Sequence, residues 1–208
     1  MSLSRPSSSL AHAPSPSVWR DSPARYGRIT RMLHWAMAGL LLWQLGGMIA
    51  KVTLGRQAPL TAWLSSAHQD VGLLLLVLAV VRVLWALAQR GQRPAQARGL
   101  WGVAAHLGHA GLYALMLLVP ALAALRMWGN DRAYAWFGLW TLNPGGGPKV
   151  EWMTAPASAL HGLLGWTLGA LIVGHVAMVL VHRWVWRDGV AARMLGPVQT
   201  SAPPDSAP

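Results

Sequence analysis

Two histidines, His161 and His175, lie fourteen residues apart in one apolar segment, and five more of the chain's eight sit in or beside hydrophobic stretches. An imidazole is costly in a bilayer unless something pairs with it. Fourteen residues is close to four helical turns, so on a helix the two rings point to nearly the same side, separated by roughly 21 Å along the axis. Two metal centres stacked across one membrane would account for that spacing, and no water-filled path is needed.

The elements that must carry these rings are legible in composition. The 208 residues are 54% hydrophobic and 11% charged, where a soluble domain would carry about 25% charge. The deficit falls in four apolar runs, 29–50, 67–89, 101–125 and 157–184, each near the ~20 residues a bilayer crossing needs. The expectation is an all-α membrane protein, a four-helix transmembrane bundle over residues 26–195. Residues 1–25, rich in Ser and Pro and without an apolar stretch long enough for a signal peptide, read as a disordered tail, and 196–208 as a second. His12 lies in the first tail and receives no role. The chain has no Cys, which excludes disulfides, thiolate metal sites, Fe–S clusters and covalent haem attachment through CxxCH.

Charge sets the expected orientation. Arg5, Arg20, Arg25, Arg28, Arg31, Arg90, Arg93, Arg98, Arg183, Arg187 and Arg193 flank one side of the runs. The other side has Lys51, Arg56, Arg126, Arg132 and Lys149. The positive-inside rule then puts both termini in the cytoplasm of a multi-pass inner-membrane protein. The net charge of +11 is a topology signal, and it argues against a nucleic-acid partner because the cations flank spans and form no groove-reading element.

With that orientation the histidines fall at two levels. His68 and His161 share the outer level, and His34 and His175 can share the inner one if the first helix begins near Tyr26. A bis-histidine haem needs two imidazoles from facing helices, and bundle interiors are a usual place for such cofactors. His106 and His109 open the third run; they are alternatives to His34 as ligands, a quinone headgroup site, or interfacial residues. His182, near the cytoplasmic boundary, reads as an interfacial or quinone-site residue able to exchange protons near neutral pH. Arg82 lies fourteen residues after His68 and should find an anion, for which a haem propionate is suited; snorkelling to the headgroups is the alternative. Gly162, Gly165 and Gly169 make room for either a flat porphyrin or a neighbouring helix.

The segments RYGRITRMLHWAMA, HQDVGLLLLVLAVVRVLW, AHLGHAGLYALMLLVPALAAL, AWFGL and LHGLLGWTLGALIVGHVAMVLVHRWVWRDGVAARML together resemble the bacterial cytochrome b561 family from about residue 26 to 195. That resemblance implies four helices, two non-covalent b haems, ligands at His34, His68, His161 and His175, and ubiquinone as the electron carrier in the lipid. For some members it implies superoxide oxidation at the outer face. The net-basic outer loops suit a small anionic donor, with Lys51 and Arg126, at the ends of their helices, nearest the outer haem; contact with lipid headgroups is the alternative.

The expected mechanism is electron transfer from an outer donor through the His68/His161 haem to the His34/His175 haem, with a quinone accepting near His109 or His182. A second reading is a cytochrome b anchor that relays electrons between a hydrogenase- or dehydrogenase-type partner subunit and quinone. A third, a Zn or Cu transporter, lacks carboxylates along an ion path, since Asp70 is the one acid within a run.

Overall fold

Each apolar run is a long helix. The computed structural model describes residues 17–94 and 99–196; Arg5, His12, Arg98 and the expected C-terminal tail beyond 196 lie outside the described residues. α1 is Arg28–Thr53, α2 Pro59–Ser66, α3 His68–Ala88, α4 Leu100–Trp128 and α5 Glu151–Leu180. α1, α3, α4 and α5 supply four helices long and apolar enough to cross a membrane. The 21 residues of α3 rise about 31 Å, close to the hydrocarbon thickness.

α1 packs on α3, α3 on α4, and α4 on α5. A small core of Met37, Leu75 and Ala79 sits between the helices. α5 approaches α1 at glycines: a Cβ on Gly165 would lie 3.5 Å from Met48 Cε, and one on Gly169 would lie 3.2 Å from Leu45 Cδ2. The outward faces stay apolar. Leu42, Leu84, Leu107 and Val173 are each more than 60% exposed, which water would penalise and lipid does not.

Three features depart from the expected outline. α2 lies ahead of the second run, in the connection after α1, where no helix is expected. It begins with Pro59 at its first turn, where the missing N–H costs nothing, and it lies against α1, with Trp63 4.5 Å from Trp43 between ring centres. The loop between α4 and α5 contains an antiparallel hairpin, β1 Tyr134–Trp136 and β2 Trp140–Asn143, turned by Phe137 and Gly138 at φ 49° and 70°. α5 starts at Glu151, six residues ahead of the expected 157, with Pro156 inside it. A proline that early removes one donor, for the Trp152 carbonyl, and the helix continues. At its other end α5 runs into a π-helical turn, Val181–Trp186, closed by Arg187 in the left-handed region; a short α6, Ala192–Leu195, follows.

The N-terminal boundary also moves. Residues 18–25, read as tail, fold back over the start of α1. Val18 O accepts from Arg28 N at 3.0 Å and Trp19 O from Ile29 N at 3.4 Å, so the tail supplies partners for N–H groups a helix start leaves open. Asp21 is 3% exposed. Composition hid this, because the capping carbonyls and carboxylate are remote in sequence from the helix they cap. Gly27 lies where the two strands of chain cross: a Cβ there would collide with the Arg20 carbonyl group. Backbone cannot yield cheaply, so Gly27→Ala is expected to cost about 1–3 kcal/mol. A lower thermal midpoint of the detergent-solubilised protein would show it, and an unchanged midpoint would contradict the packing.

Candidate cofactor sites

At the level expected to be the outer one, His68, the first residue of α3, faces His161 of α5 with ring centres 6.1 Å apart and planes at 78°. Two imidazoles that shared one metal, with bonds of about 2.0–2.1 Å, would have ring centres about 6.4 Å apart. The observed spacing is within a few tenths of that. His161 Nδ1 is 3.1 Å from Val119 O. A carbonyl only accepts, so Nδ1 donates, and Nε2 keeps its lone pair for a metal. Val119 presents this carbonyl from α4 beside Pro120. His68 is held from α1, where Gln44 Nε2 donates to His68 O at 2.8 Å.

A cavity of about 520 Å³ opens beside the two rings, walled by Met37, Leu75 and Leu168, with Gly72 and Gly165 leaving its sides flat. That volume lies in the range of cofactor sites. Lys51 and Arg126, expected near the outer centre, both line it, and Arg132 joins them. The arrangement fits a flat macrocycle between two neutral nitrogens with cations at its edge.

Asp70 ties the hairpin over this end of the bundle. Its Oδ1 accepts from Tyr134 OH at 2.7 Å and Phe137 N at 2.9 Å, while its carbonyl accepts from Trp136 Nε1 at 3.1 Å. Partial burial and then the bond to Asp70 push the Tyr134 phenol above its usual pKa, so it remains a donor. The one acid within a run is thus a structural anchor for Tyr134, a link that residues 64 apart do not announce.

At the inner level three rings meet. His34 of α1 and His175 of α5 stand 6.3 Å apart, and His109 of α4 is 5.5 Å from His175. Arg82 NH2 lies 3.3 Å from His34 Nδ1, and its NH1 lies 3.4 Å from Thr30 O; the guanidinium sits 5.8 Å over the Tyr113 ring. No protein carboxylate pairs with Arg82 among the described ion pairs. His106 and His109 each turn Nδ1 to a carbonyl of their own helix, Gly102 O and Ala105 O, at 2.7 Å. His182 contacts the Trp186 ring at 4.7 Å, and its Nδ1 lies 2.6 Å from Asp188 Oδ2. The structure therefore joins His34, His109, His175 and Arg82, while His182 and Asp188 form a separate pair at the end of α5.

The sequence model of the family described as prokaryotic cytochrome b561 matches residues 25–197. The chain belongs to that family. Cytochrome b561 homolog 2 of Escherichia coli strain K12 is 28% identical over 183 residues, 85% of this chain and 94% of the relative. Cytochrome b562 of Cereibacter sphaeroides is 31% identical over 182 residues, 83% of this chain and 96% of the relative. As a member of the cytochrome b561 family the chain is a bacterial membrane protein that binds b-type haem and serves transmembrane electron transfer. Sequence reasoning passed over Gln44, Asp21 and Thr30, whose roles depend on neighbours far along the chain, and it left Arg132 among the general outer charge.

Proposed function

We propose that this cytochrome b561 carries electrons between an outer-face donor and membrane ubiquinone through two b haems, one held by His68 and His161 and the other by His34 and His175. The observation that carries the reading is the pair of ring spacings, 6.1 and 6.3 Å, at two depths on one helix. Bound at these positions, haem would supply one-electron exchange at its iron. The chain's own part is to present neutral imidazoles, exclude water with the apolar helix faces, and neutralise the cofactor's carboxylates. Arg82 is suited to hold an inner propionate.

Lys51, Arg126 and Arg132 at the outer cavity favour a small anionic donor such as superoxide, whose encounter rate a basic mouth raises. Quinone reduction also requires protons. His109 and His182 are the candidates to hand them over, with both termini on the cytoplasmic side of the inner membrane. A second reading, a relay subunit for a soluble redox partner, is favoured by the exposed Phe137, Leu139 and Trp140 of the outer hairpin.

The test is haem per polypeptide by pyridine haemochrome on the purified chain, with a reduced-minus-oxidised spectrum and quinone reduction by superoxide. Two low-spin b haems per chain and superoxide-dependent quinone reduction are expected. One haem or none would overturn the two-centre reading. Two haems with no superoxide activity would favour the relay subunit.

A further inference from the structure

Asp21 is the one buried carboxylate among the described residues, and it sits in a segment the electron-transfer reading leaves unused. Its Oδ1 accepts from Gly27 N at 2.9 Å and Thr30 Oγ1 at 2.6 Å. Its Oδ2 takes Arg93 Nε at 3.1 Å, and its own N–H donates to Gln89 Oε1 at 3.2 Å. Three parts of the chain are joined at one side chain: the N-terminal segment, the first turn of α1, and the end of α3 with the loop after it.

A carboxylate is costly to bury unless its charge is matched and its oxygens are bonded. Here both conditions are met. Gly27, the residue before α1, has no side chain to cap the helix. Val18 O and Trp19 O take the first N–H groups of α1, while Asp21 accepts the Gly27 N–H just ahead of them and puts a negative charge at the positive end of the helix.

The network continues inward. Thr30 Oγ1 accepts from Trp85 Nε1 at 2.9 Å. Thr30 O accepts from Arg82, whose other terminal nitrogen meets His34 Nδ1 at 3.3 Å. Asp21 therefore fixes Thr30, and the Thr30 carbonyl holds Arg82 beside the ring of His34. His34 itself lies one turn beyond Thr30 on α1, so the start of the helix also sets the depth of that ring.

We infer that Asp21, with Arg93 and Thr30, is a positioning residue for the inner haem site: the folded N-terminal segment fixes the register of α1, and with it the depth of His34, and holds Arg82 beside that site. The inference rests on the proposed function, because it needs His34 to serve a haem. It has an electrostatic consequence. Adding an electron to a haem is opposed by nearby negative charge and helped by positive charge, more so where the dielectric is low. Asp21→Asn should raise the inner haem's midpoint potential and Arg93→Gln should lower it, with the outer haem unmoved.

Redox titration of the holoprotein in detergent tests this, the inner haem being assigned as the one lost in His34→Leu. Thr30→Ser, which keeps the hydroxyl, should match the wild type, while Thr30→Val should shift the inner haem's absorption band and potential. Shifts of the same sign in D21N and R93Q, equal shifts of both haems, or T30S behaving like T30V would overturn the inference and reduce the network to packing. If D21N does not accumulate, the R93Q shift and the Thr30 pair decide the matter. A wild-type protein with fewer than two haems would remove the reading underneath and the inference with it.

Discussion

Replacing His161 by leucine is expected to lower the haem content of the purified protein from two per chain to one and to abolish electron transfer from the outer face. The cause is specific. His161 donates Nδ1–H to Val119 O, which fixes the tautomer and aims Nε2 at the space before His68. Leucine fills similar volume, so the bundle should stay folded, yet it offers no nitrogen to iron. His68→Leu should give the same loss, because an axial pair acts as a unit, and the double variant should lose no more than either single one. Pyridine haemochrome assays on the three variants decide the point. Two haems remaining in both single variants would show that these rings are not ligands, and a double variant with none would show that they serve different haems.

Much of this was legible beforehand, for reasons that lie in the solvent. A bilayer forces long apolar helices, so the four spans follow from hydropathy alone, and histidines on such helices stand out because nothing else there is polar. The spacing of His161 and His175 carries over to the structure because a helix converts sequence distance into depth at a fixed rate. What escaped was the part built from long-range polar contacts. Asp70 looked like a stray acid at a span end, yet it anchors Tyr134 and the hairpin. Asp21 looked like tail, since Ser- and Pro-rich composition describes the unpaired chain and says nothing of a helix start waiting for acceptors. The early start of α5 escaped because Pro156 reads as a stop, although a helix embedded in a bundle tolerates the loss of one bond.

The inner level poses a choice that spacing along the chain left open and for which the distances give an expected result. His34→Leu should remove the inner haem, leaving one per chain, while His109→Leu should retain both. His175 is common to either pairing. His34 stands 6.3 Å from it and His109 5.5 Å, against about 6.4 Å for two imidazoles on one iron. The shorter gap is almost an ångström too small to admit a metal with two normal bonds. The His109 Nδ1 donates at 2.7 Å to Ala105 O on its own helix, which leaves its Nε2 with the lone pair. His109 is then a neighbour of the inner centre, placed to take or give a proton at Nε2, and its loss should slow quinone reduction with the haem count intact. Haem content and quinone-reduction rate measured on the same two variants separate the roles. One haem in His109→Leu with two in His34→Leu would exchange them, and α4 in place of α1 would carry the inner ligand.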